Sequence, residues 1–160
     1  MEPIFDHEKL DVYRVELELV TWIRDFMRDA CGSPTQHRRE LIEQLDRASL
    51  SMLLNTAEGN SKRHGRHRAK FFDDARGSAF ECAACLDASV AKQLALPDRI
   101  RPGKEMLVRV VAMLTRLIDR FDVDDPPIRK DLIALPSRPR RRPSSFRSYP
   151  EKRTTKTSVT

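Results

Sequence analysis

The sequence predicts an all-α protein: an up-down-up-down antiparallel four-helix bundle followed by a disordered basic C-terminal tail. Three observations lead there. Apolar residues recur every three to four positions through four segments of about 20 residues each, the period of a helix face turned to a core. Only five of 160 residues are glycine, and no stretch alternates polar and apolar side chains as a half-buried strand would. Short breaks rich in Gly, Ser or Pro separate the segments, as in a bundle of antiparallel neighbours. With 39% apolar residues the chain can bury one core. The bundle is expected over residues 1–125, with helices at about 9–30, 34–58, 65–94 and 102–121, and the tail over 126–160.

Residues 1–8 read as a short extended lead-in, with Phe5 available to fold back. The first helix has two apolar rows, Leu10, Tyr13, Leu17, Val20 and Met27 in one and Val12, Leu19, Ile23 and Phe26 in the other. So wide an arc implies contact with more than one neighbour, another subunit included. Ser33, Pro34 and Gln36 form an N-cap, a first-position proline and a capping-box residue, which starts the second helix. That helix runs through Leu41, Leu45, Ala48 and Met52 to Glu58, where Gly59 is expected to end it in a left-handed conformation. The third helix carries Phe72, Ala75, Ala79, Cys82, Leu86 and Val90, and the fourth Leu107, Val111, Leu114, Ile118 and Phe121. Six prolines from Pro126 to Pro150, with Ser and Arg between them, describe a tail that cannot bury enough surface to order itself.

If the second and third helices meet antiparallel across the loop, facing residues have numbers summing to about 125, within a few residues. Ala48 then falls opposite Gly77, a small-on-small crossing that would explain a glycine inside a helix, and Arg47 and Gln44 fall near Ser78 and Glu81. A partly buried Arg47–Glu81 pair would fix register more than it would add stability.

The net charge of +6 is unevenly spread: residues 136–160 hold eight Lys or Arg and one acid, whereas residues 1–135 hold 22 basic and 23 acidic residues. The body is neutral and the tail basic, so any nucleic-acid argument rests on the tail and on the local cluster at residues 62–70. Nothing approaches the ~20 apolar residues of a membrane span, and no secretory leader opens the chain, so a cytoplasmic location without membrane contact is expected. Cys31, Cys82 and Cys85, an odd number at unremarkable spacing, suit a reducing compartment.

Lys62, Arg63, His64, Arg66, His67, Arg68 and Lys70 form the densest basic group of the body. Such a loop can contact phosphates and bind in a strongly salt-dependent, sequence-independent way, or it can simply be a solvated connection; no aromatic residue is interleaved to stack bases. Arg138, Arg140, Arg141 and Arg142 in the tail could hold nucleic acid by charge, or solubilise the chain. His64-x-x-His67 and Cys82-x-x-Cys85 suggest zinc, but on a continuous helix Cys82 lies about 22 Å beyond His67, so no metal or other cofactor is expected. Asn55, Glu58, Asp73, Asp74 and Glu81 show no convergence of the kind hydrolysis requires; capping and ion pairing account for them, and no catalytic residue is assigned.

The succession Gln44-Leu45-x-Arg47-Ala48, Asn55-x-Ala57-Glu58-Gly59 and Phe71-Phe72-x-x-Ala75-Arg76-Gly77-Ser78 with Glu81, preceded by Leu10, Val12, Tyr13 and Glu18-Leu19, resembles the bacterial proteins encoded in intervening sequences of 23S ribosomal RNA genes. The resemblance covers about residues 5–121. It implies a four-helix subunit assembled into a homopentameric ring or barrel, no enzyme activity, and kinship with the accessory protein of diversity-generating retroelements, which looks like a basic barrel contacting nucleic acid and a reverse transcriptase. Leu53-Leu54, Thr56 and Asp74 depart from the family pattern, where Pro-Ala, Ile and an apolar residue are usual. The expected function is a non-catalytic oligomeric scaffold bound to RNA or DNA through the loop and tail. The alternative is an adaptor that holds a protein such as a reverse transcriptase, its charge incidental.

Overall fold

Leu19, Met52, Phe72, Leu86 and Leu114 come from four different helices, and each is almost wholly enclosed. In a computed structural model, which describes residues 2–29 and 36–122, a 3-10 turn Asp6–Lys9 precedes α1 (Asp11–Asp29), α2 (Gln36–Ser61), α3 (Gly65–Ala91) and α4 (Pro97–Asp122). The described residues are all-helical, with no strand. The expected cap at Ser33 and Pro34, Cys31 and the tail lie outside the described residues.

Each helix packs on two others: α2 on α3, α3 on α4, and α1 on both α2 and α4. Antiparallel pairing is visible in the cross-contacts. Gln44 donates to Glu81, Ser51 meets Ser78 at 3.0 Å and Arg68 reaches the Asn60 carbonyl at 2.6 Å, so the α2–α3 register sum runs from 125 at one end to 128–129 nearer the loop. On the other side of α3, Arg76 contacts Thr115 and Asp87 pairs with Lys104 at 2.6 Å.

The lead-in is a 3-10 turn rather than extended chain, and Phe5 remains exposed. On α1 the row Val12, Val15, Leu19, Ile23 and Phe26 is buried, while Leu17 of the other row faces outward. Glu16 lies among the buried row with no exposed surface; Thr56 Oγ1 of α2 donates to its Oε1 at 2.7 Å, and its Oε2 has no partner among the described residues. Burial pushes the Glu16 carboxyl up to about 8, a shift the Thr56 hydrogen bond opposes.

Three expectations about the hairpin are corrected. α2 does not end at Glu58: Gly59 keeps a right-handed helical conformation and the helix continues to Ser61. Glycine is needed there for space, since a Cβ would lie 3.0 Å from Phe71 Cβ and 3.1 Å from Phe72 Cε1. Gly77 is exposed and a Cβ on it would meet nothing within 4 Å, so there is no Ala48–Gly77 crossing; the register shift toward 129 turns Ser78, not Gly77, onto α2. Arg47 is exposed, and Glu81, itself exposed, takes its hydrogen bond from Gln44 instead.

The fourth helix also begins earlier than expected. Pro97 occupies the first helical position, where its missing N–H is no loss, and Pro102 is accommodated inside the helix. The bond Pro102 forfeits is to the Asp98 carbonyl, in the exposed first turn. Gly103 follows because the Trp22 ring of α1 occupies the space of its side chain: a Cβ would overlap Trp22 Cζ3.

Candidate nucleic-acid interface

Only Lys62, Arg63 and His64 separate α2 from α3, so the connection is three residues long. The end of α2 has its carbonyls satisfied locally: Ser61 Oγ donates to the Glu58 carbonyl at 2.7 Å and the Lys62 amide to that of Gly59 at 3.2 Å. Arg68 Nη2 reaches back from α3 to the Asn60 carbonyl, and the same guanidinium lies over the Phe121 ring of α4 at 4.8 Å. Arg68 is thus a clamp joining α2, α3 and α4, its Nε buried and without a hydrogen-bond partner among the described residues.

The other basic side chains present differently. Lys62 Nζ pairs with Glu58 Oε1 at 2.7 Å and sits 4.5 Å from the centre of the Phe71 ring. Arg63, His64, Arg66, His67 and Lys70 are exposed, and the rings of His64 and His67 meet edge to face at 5.7 Å. Arg66, His67 and Lys70 recur at helical spacing over the first two turns of α3.

Arg63 and Arg66 stand at the positive end of α3, where an acidic side chain would be stabilised and a cation costs about 0.3–1 kcal/mol. The first turn of α3 contains no acid. The helix end therefore presents partial positive charge from its amides and full charge from its side chains together. A phosphate there would relieve both.

The motif residues build the frame behind this tip. Asn55, expected to cap the loop, donates to Ser51 Oγ at 3.2 Å instead, and Ser51 meets Ser78. Ser78 returns to the Asp74 carbonyl at 3.1 Å, and Arg76 spans Asp73 at 2.6 Å and Thr115 at 3.4 Å. Glu58, expected to pair with a loop arginine, pairs with Lys62 instead. Cys82 and Cys85 are buried on α3, the thiol of Cys82 pushed up to about 12, chiefly by burial, and that of Cys85 raised for the same reason. Both are poor nucleophiles.

Aromatic residues come to the tip through the fold. Phe71 lies beneath Lys62, and the amino-terminal turn brings Phe5 and His7 beside the end of α2. Phe5, Asp6, His7, Asn60, Lys62, Arg63 and Arg68 are among the residues lining a surface cleft of about 530 Å³. Phe5 and His7 are too far from residues 62–70 in sequence for local spacing to reveal this.

The sequence profile of the 23S rRNA-intervening sequence proteins matches residues 8–116, from the amino-terminal turn through most of α4 and across the whole α2–α3 tip. The chain belongs to the 23S rRNA-intervening sequence protein family. Among curated proteins none matches it. In this member of the 23S rRNA-intervening sequence protein family, Lys62, Arg63, His64, Arg66, His67, Arg68 and Lys70 are brought together at one end of the bundle. Arg138, Arg140, Arg141 and Arg142 lie outside both the matched region and the described residues.

Proposed function

We propose that this chain is a non-catalytic, oligomeric scaffold that associates with RNA or DNA through the α2–α3 tip, assisted by Arg138, Arg140, Arg141 and Arg142, with affinity set by phosphate charge rather than base sequence. One observation supports this above the rest. Exposed basic side chains cluster at the amino-terminal end of α3, whose first turn contains no acid. The family's name places its members in the setting of ribosomal RNA genes, which accords with a cytoplasmic nucleic-acid partner.

Self-association, as a homopentamer, is part of the proposal. Between the Arg76–Thr115 and Asp87–Lys104 contacts, Gly77, Phe80 and Ala84 of α3 and Val108 and Ala112 of α4 form an exposed strip of apolar and small residues. Phe80 is 57% and Val108 69% exposed. Leu50 and Leu54, one turn apart on α2, give a second exposed apolar face, so a head-to-tail contact between unlike faces can close a ring. The same strip favours a second reading, an adaptor that holds another protein such as a reverse transcriptase.

The two readings separate in one experiment. Replacing Lys62, Arg63, Arg66 and Lys70 with Ala is expected to weaken RNA and DNA binding at least tenfold in a filter or anisotropy assay, while deleting residues 136–160 leaves most of it. Undiminished binding in the tip variant would move the contact to the tail, and no binding by wild type would leave the adaptor.

A further inference from the structure

We infer that the cleft between the amino-terminal turn and the α2–α3 tip binds an unpaired nucleotide of a single-stranded nucleic acid, the base stacking on the Phe5–His7 pair and its phosphate meeting Lys62 and Arg63. The inference rests on the nucleic-acid reading of the tip and narrows it to a strand class and a contact.

Phe5 is 62% exposed, and its ring stacks on His7 at 5.8 Å with an interplanar angle of 14°. His7 in turn meets the edge of Tyr13 at 4.8 Å, so the stack is backed by α1. The backbone beneath it is fixed: Glu8 Oε2 accepts from the amides of Ile4 at 2.6 Å and Phe5 at 3.0 Å, and the Glu8 amide returns to the Phe5 carbonyl at 3.2 Å. Those two amides, Phe5 first, hold the Glu8 carboxyl below its ordinary range, so the clasp is charged at neutral pH. An exposed aromatic ring held this way has an open face ready for a base, with little ordering entropy left to lose.

The rest of the cleft supplies what a nucleotide needs beyond a platform. Its volume of about 530 Å³ falls in the ~300–1,000 Å³ range of small-ligand sites. Among the described residues, Arg63 is exposed and makes no ion pair, while Lys62 pairs with Glu58 alone. The lining carboxylate, Asp6, is neutralised by Lys9 Nζ at 2.8 Å, so it does not repel a phosphate at full strength. Asn60 adds an amide that can donate to or accept from any base edge, consistent with weak sequence preference. In a duplex the bases are already stacked on each other, so only a single strand can use the ring.

The test uses the full-length chain and fluorescein-labelled 12-nucleotide oligo-U, oligo-dT and a mixed-sequence duplex, read by anisotropy. Wild type is expected to prefer both single strands over the duplex. Phe5→Ala should lose about tenfold in single-strand affinity, keep its salt slope and leave duplex binding unchanged. Phe5→Leu preserves apolar bulk without a π face and should bind as weakly as the alanine variant, whereas Phe5→Trp should restore affinity; melting curves confirm that each variant is folded. Wild-type affinity in Phe5→Leu, or equal affinity for duplex and single strand, overturns the cleft but leaves the tip intact as a phosphate contact. Absence of binding to all three probes by wild type overturns both.

Discussion

Glu16 occupies a core position on α1, between Val15 and Leu19 in sequence and as enclosed as either. Its carboxyl rises from 4.5 to about 8 because burial disfavours the anion, so the folded state binds a proton that the unfolded chain has already released. The favourable contribution of the neutral form is complete below about pH 4.5, declines as pH rises toward 8 and is gone above it, at roughly 1.4 kcal/mol per pH unit within that window. Glu16→Gln keeps an oxygen for Thr56 and removes the titration. Thermal melts at pH 5, 6.5 and 8 should show the wild-type melting temperature falling relative to the variant; parallel curves would contradict this. The apolar rows read from the sequence for α1 left Glu16 out, and its partner Thr56 lies 40 residues away. For Phe5 and Tyr13 as well, local periodicity says which face a residue occupies, not which distant element closes over it.

At the scale of elements, the helices were legible because their apolar periods are long and clean, and their ends were not. Pro102 looked like a start because proline is tolerated in a first turn, yet Pro97 serves that role and the helix runs through both. Glycine was harder, because its sequence signal is the same for a helix end, a tight approach and an unused position, and Gly59, Gly77 and Gly103 differ only in what stands beside them. Gly77→Ala should therefore stabilise the protein by about 1 kcal/mol through helix propensity, with open space for the methyl group. Gly59→Ala should destabilise it by about 1–3 kcal/mol by forcing Phe71 and Phe72 back, and Gly103→Ala by at least as much through Trp22. Urea denaturation of the three variants measures the order, and a stabilised Gly59→Ala would contradict so close an approach of α2 and α3.

For the whole molecule, the neutral body and basic tail assigned from sequence leave binding to a few local groups, and assembly decides how far weak contacts add. The proposed ring would repeat the α2–α3 tip, so that avidity could exceed single-site affinity by orders of magnitude. Light scattering should give five times the subunit mass for wild type, and Phe80→Asp with Val108→Asp should give the monomer with its helical spectrum intact; a monomeric wild type would remove the avidity argument. The charged tip was legible in composition, whereas its aromatic cleft exists only once the first residues fold against the end of α2. Phosphate contact through Lys62, Arg63, Arg66 and Lys70 is tested most directly by the slope of log affinity against log salt for RNA, measured for wild type and for the variant with all four replaced by Ala. The expected result is a slope reduced by several units in the variant, near 0.7 for each single-strand phosphate that is no longer neutralised; identical slopes would contradict it.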